Sequence, residues 1–94
     1  MITVEVTSRD IAAGIRGSAA SCPVALAVSR VLKQDSVFIT RFSIDVLDGD
    51  GWIADYQCPE AVWAFVQQFD AGKSVQPLTF TLDLNRGESS GGLR

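Results

Sequence analysis

The stretch "SVFITRFSIDVLDGDGWIADY", residues 36–56, decides the fold, because it sets how many strands the middle of the chain contributes. Phe38, Phe42, Ile44 and Val46 share parity, as do Trp52, Ala54 and Tyr56 beyond the break. Alternation with a period of two marks strands that bury one face. The intervening "DGDG" supplies residues that accept positive φ, so the reading is one hairpin of two strands. Asp48 and Asp50 invite a calcium loop, but the next ligand position is taken by Trp52, and no metal is expected.

Working outward, "RGSAASCPVALAVSRVL", residues 16–32, runs a glycine-serine loop into a cysteine, a proline and an apolar helix. Ser21 is the expected N-cap, with Cys22 and Pro23 as the first helical residues, where proline loses no intrahelical bond. The predicted helix, 22–33, has an apolar stripe of Val24, Ala27, Val28, Val31 and Leu32, broadened by Ala25 and Leu26. Arg30 and Lys33 stand in its last turn, where cations suit the negative end of the helix dipole. Before it, "ITVEV" alternates as a strand, and in "TSRDIAAG" Thr7, Ser8 or Asp10 can cap a short turn that Gly14 ends.

On the C-terminal side, "CPEAVWAFVQQFDAG" reads as a second helix burying Val62, Phe65, Val66 and Phe69, with Gly72 as its C-terminal cap. "LTFTLDL" alternates with Leu78, Phe80, Leu82 and Leu84 inward. The order strand, helix, strand, strand, helix, strand predicts an α+β fold. The expected form is a four-stranded, mainly antiparallel sheet with two helices packed on one face (β-α-β-β-α-β, ferredoxin-like or related). Residues 1–85 are read as a single domain and 86–94 as a flexible tail.

The 94 residues are 47 % hydrophobic and 20 % charged, a composition that folds into one core. No apolar run reaches membrane-spanning length, and no signal-type segment opens the chain, so a cytoplasmic location is expected. A net charge of −3 argues against binding a nucleic-acid backbone. A small ligand or a protein partner is the more natural expectation. The chain has two cysteines and no histidine. That removes Ser-His and Cys-His nucleophile pairs and most zinc sites, so the expectation is a protein that is not an enzyme and needs no cofactor. Asp45, Asp48, Asp50, Asp55 and Glu60 crowd one region, but a solvated face is the ordinary reading of such residues.

The loop-to-helix junction is the candidate ligand site. A helix start offers unpaired N–H groups and the positive end of the dipole. Arg16 is suited to grip a phosphate or carboxylate with two N–H groups, Gly17 permits close approach, and Ser18 and Ser21 add hydrogen bonds. Cys22 is expected there with a lowered pKa, which leaves a thiol nucleophile as a weaker option. The plain alternative is a capped helix with a buried cysteine. Trp63 falls outside the buried stripe of its helix, at the flank of the core or exposed, and Trp52 poses the same choice beside the turn. Both are candidate interface residues.

Two segments carry a resemblance. "DIAAGIRGSAASCPVALAVSR" and "CPEAVWAFVQQFDAGKSVQPLTFTL" are similar to patterns in small uncharacterised proteins encoded by bacteriophages and prophages. Asp10, Gly14, Cys22 and Pro23 match the first pattern, with Arg16 and Gly17 inside it. The resemblance implies an accessory protein that counters host defence. Such a protein would sequester a small anionic, nucleotide-type signal as a homo-oligomer, or block a host protein through an exposed tryptophan and sheet edge.

Overall fold

The structure is a computed structural model and describes residues 2–34, 36–47 and 53–84. In chain order it contains β1 (Ile2–Val6), α1 (Ser8–Ala13), α2 (Pro23–Leu32), β2 (Ser36–Ile39), β3 (Ser43–Leu47), β4 (Ile53–Gln57), α3 (Glu60–Asp70) and β5 (Leu78–Leu82). The strands form two antiparallel sheets, β1-β5 and β2-β3-β4. The class is α+β as expected, but the single four-stranded sheet is replaced by two sheets and a third helix joins the two expected ones.

The terminal strands follow their alternation. Ile2, Val4 and Val6 stand opposite Leu82, Phe80 and Leu78 in register. Val4 and Val6 are fully buried, while Thr3 and Glu5 face outward. A period of two with one apolar face leaves little choice of register, since a one-residue slip would expose the whole apolar set.

The middle of the chain departs from expectation, because residues 36–47 fold back once more. Thr40 and Ser43 close a tight turn: Thr40 N–H donates to the Ser43 carbonyl at 2.8 Å, and Ser43 N–H donates to Thr40 Oγ1 at 3.0 Å. Hydroxyl side chains that bond nearby backbone offer the chain an alternative to a continuous strand. Val37 and Ile39 therefore take the inward positions of β2, opposite Val46 and Ile44. Phe38, expected on the face of Ile44 and Val46, pairs with Asp45 on the outer face and is 39 % exposed. Phe42 stands in the turn, 76 % exposed. The "DGDG" turn, Trp52 and the tail at 86–94 lie outside the described residues.

The short helix α1 is set by its cap. Thr7 Oγ1 accepts from Asp10 N–H while Asp10 Oδ2 accepts from Thr7 N–H at 2.9 Å, so each satisfies an amide the helix start leaves free. Gly14 ends α1 and lies directly against Pro23, the first residue of α2. The central element is α2. It packs on β1 of one sheet and on β2 of the other, with α1 and α3 beside it. Val24, Ala25, Ala27 and Val28 are buried, but Val31, expected in the same stripe, is at the surface. The sheets also touch directly, through a bridge between Tyr56 and Leu84 and Gln57 N–H donating to the Asp83 carbonyl at 2.8 Å.

One charged group sits inside this framework. Asp10 is 6 % exposed, and Arg30 reaches it from α2 through Nη1, with Nη2 donating to the Glu5 carbonyl at 2.9 Å. Burial by itself would push the Asp10 carboxyl up. The Arg30 hydrogen bond, the Thr7 amide and hydroxyl, and the Arg30 charge outweigh it and hold Asp10 below its ordinary value.

Candidate functional site

The loop ahead of α2 is tied largely to itself and its neighbours. Ile15 N–H donates to the Ser21 carbonyl at 2.8 Å, and Ser21 N–H donates to Ser18 Oγ at 3.1 Å. Ile39 N–H donates to the Ala19 carbonyl at 3.0 Å, which covers one end of the β2 edge. Gly17, at φ 75°, turns the chain so that its N–H meets Asp70 Oδ1 at 2.9 Å, at the last residue of α3. Ser18 and Ser21 thus brace the loop.

The start of α2 corrects two expectations. Its N-cap is Cys22, without a side-chain capping bond, and Ser21 lies one residue outside. Cys22 is 1 % exposed, in the core beside Val24 and Ala25. Burial pushes its thiol pKa up, against the pull of the Ala25 and Val24 amides, and the charge of Asp70 pushes the same way. The lowered pKa expected at a helix start is therefore reversed, because desolvation of a thiolate exceeds what the first amides return. Cys58 is half-buried and its pKa is pushed up to about 11, by burial first and then by the charge of Cys22. Both cysteines are free. Iodoacetamide at pH 7–8 is expected to alkylate both thiols more slowly than a free cysteine, with full labelling only in urea. Mass spectrometry of the native chain reads this directly, and fast labelling of Cys22 would contradict its burial.

Of the five loop residues, Arg16 alone carries a long side chain to another element. Its guanidinium lies over the Phe69 ring, 5.9 Å from the centroid. Together with Lys73 and Ser74 it lines a cleft of about 290 Å³ at the C-terminal end of α3.

A larger groove, about 590 Å³, opens between the β2–β3 turn and α3. Its walls include Arg41, Phe42, Gln57, Trp63 and Gln67. The Arg41 guanidinium sits 5.3 Å from the centroid of the Phe42 ring. The turn that presents both is held by the Thr40–Ser43 bonds and by Cys58 N–H donating to the Phe42 carbonyl at 3.3 Å. From Cys58 the chain enters α3, whose first turn is closed by Val62 and Trp63 N–H donating to the Pro59 carbonyl. Trp63 packs one side against the core and turns the other to the groove, which unites the two expectations for it. Trp52, its expected companion, is outside the described residues.

In the sequence Arg41 and Phe42 read as the interior of a strand, since apolar parity runs on through Phe42. The available signal was the pair of hydroxyl residues flanking them in "TRFS", a turn chemistry without glycine or proline. The groove offers aromatic faces, one cation, the Glu60 carboxylate and two side-chain amides, which are groups that bind and orient. Among the described residues no three His, Cys, Asp or Glu side chains come together as a metal site, and no helix is long and apolar enough to cross a membrane. Comparison with protein-family models, curated proteins and solved structures finds no match for this chain.

Proposed function

We propose that the chain is a binding protein without catalytic activity, which takes up a small, planar, anionic ligand of nucleotide type in the groove between the β2–β3 turn and α3. The observation that carries this reading is the meeting of Arg41, Phe42 and Trp63 on one groove of about 590 Å³. That volume lies in the range of small-molecule sites. Stacking of a base on an aromatic face contributes about 1–3 kcal/mol, and Arg41, which forms no ion pair among the described residues, is free to meet a phosphate. Gln57 and Gln67 supply donors and acceptors for the edge of the ring. The resemblance to small phage-encoded proteins supports a sequestering role in the cytoplasm of a host cell, with a homo-oligomer as the working form.

The test is a thermal shift against linear nucleotides, cyclic nucleotides and ADP-ribose-type molecules. At a hundredfold excess over the dissociation constant, a true ligand adds about 2.7 kcal/mol. For a domain of this size that moves the midpoint by roughly 10 °C or more. Arg41→Ala and Trp63→Ala should each abolish the rise, while a flat panel ends the nucleotide reading.

A second reading is favoured by the 76 % exposure of Phe42 on a braced turn. Trp, Phe and Arg side chains standing together are the usual composition of a protein-binding hot spot. On this reading the groove seats part of a host protein, no nucleotide moves the midpoint, and Trp63→Ala weakens the partner by about 2 kcal/mol or more.

A further inference from the structure

We infer that the cleft at the C-terminal end of α3 is a second, separate anion site, which takes orthophosphate or the phosphate of a small phosphomonoester. The inference stands apart from the nucleotide reading, because none of its residues lines the larger groove. The chain is acidic overall, at −3, yet this cleft is lined by Arg16 and Lys73 and by no carboxylate. Neither cation forms an ion pair among the described residues. Two cationic side chains lining one cleft make its charge favourable to an anion.

The cleft is also pre-shaped. The Arg16 guanidinium rests over the Phe69 ring, and the adjoining Gly17 N–H is anchored on Asp70, so a long side chain is held in place before any ligand arrives. The Asp70 carboxylate, the acid at the end of the helix, is directed to that anchor. Beyond it the chain closes α3 with Gly72 N–H donating to the Phe69 carbonyl and Lys73 N–H to the Gln68 carbonyl, each at 3.0 Å. Gly72 takes φ 81° in this turn, and a Cβ there would come within 3.9 Å of Arg16 Nε. Lys73 and Ser74 follow from a backbone fixed by these bonds. Two cations and a hydroxyl in about 290 Å³ suit a tetrahedral dianion.

Titration calorimetry tests this with three probes at matched ionic strength: sodium orthophosphate, O-phosphoserine and sodium chloride. Saturable heat with phosphate or phosphoserine, and none with chloride, is the expected result. Heat from phosphoserine alone names an esterified phosphate, and equal heat from both names the free ion as sufficient. Arg16→Gln and Lys73→Gln should each weaken binding at least tenfold, while Arg9→Gln, at an exposed position of α1 that lines neither cavity, leaves it unchanged. Lys73 is exposed, so its variant reports on the site even if the Arg16 variant folds poorly. The inference is overturned by no saturable heat from either phosphate probe, or by unchanged binding in Lys73→Gln.

Discussion

Asp10→Ala should lower the free energy of unfolding by about 3 kcal/mol, read from urea denaturation with the wild-type chain alongside. Three interactions go at once. The Thr7 amide loses its acceptor, the Thr7 hydroxyl loses a partner at 3.1 Å, and Arg30 loses the charge that ties α2 to α1. The Arg30 side chain is 50 % exposed, so it returns to water at little cost and the loss comes mainly from the Asp10 side. Arg30→Ala makes the complementary test by leaving a buried carboxylate without its cation.

The pH dependence follows from the direction of the shift. A carboxyl whose folded pKa lies below its ordinary value of 3.8 binds its proton more readily in the unfolded chain. Its stabilising contribution is therefore complete above that ordinary value and disappears as pH falls through the folded one. Wild type and Asp10→Asn should differ most near neutrality and converge in acid. A constant difference down to pH 2 would mean that the charge of Asp10 contributes nothing to stability.

Gly14→Ala is expected to cost about 3 kcal/mol, at the upper end of what overpacking brings. A Cβ on Gly14 would lie 2.6 Å from Pro23 Cδ, 2.7 Å from Cγ and 2.8 Å from the Pro23 nitrogen. The ring cannot swing aside as a flexible side chain would, and it begins the helix on which both sheets pack. The backbone φ of Gly14 is −68°, which alanine accepts, so the effect is purely one of space. Gly17 supplies the control. It has φ 75° with nothing within 4 Å, so Gly17→Ala should cost only the left-handed conformation, about 1 kcal/mol. Equal midpoints for the two variants would refute the close approach of α1 and α2.

Local regularities carried much of the fold in advance. The alternation of β1, that of β5 from Leu78 to Leu82, a side-chain cap on α1 and the apolar stripe of α3 appear in the structure as read. Each depends on neighbours one to four positions apart, within the reach of backbone periodicity and capping. Leu84, expected inward, is instead 48 % exposed beyond the end of β5, and α3 is capped by Ala71, with Gly72 one residue further on at φ 81°. The extra turn at Thr40–Ser43 leaves little local trace, because "TRFS" has no glycine or proline and apolar parity continues across it. That one turn moved Phe38 outward and Phe42 to the surface, and so created the wall of the groove.

The sequence by itself determined which segments form helices and strands at the two ends, and that the class is α+β. Tertiary structure alone decided how the strands divide into two sheets, and that Cys22 is buried where a reactive thiol was conceivable. It also decided that Arg30 serves Asp10, and that the Arg16 guanidinium lies over the Phe69 ring. The physical reason is reach. Hydrogen bonds and side-chain periodicity act along a few residues and leave a local trace. Burial, ion pairing and the stacking of a cation on a ring depend on groups distant in the chain, whose proximity exists only after the core has closed.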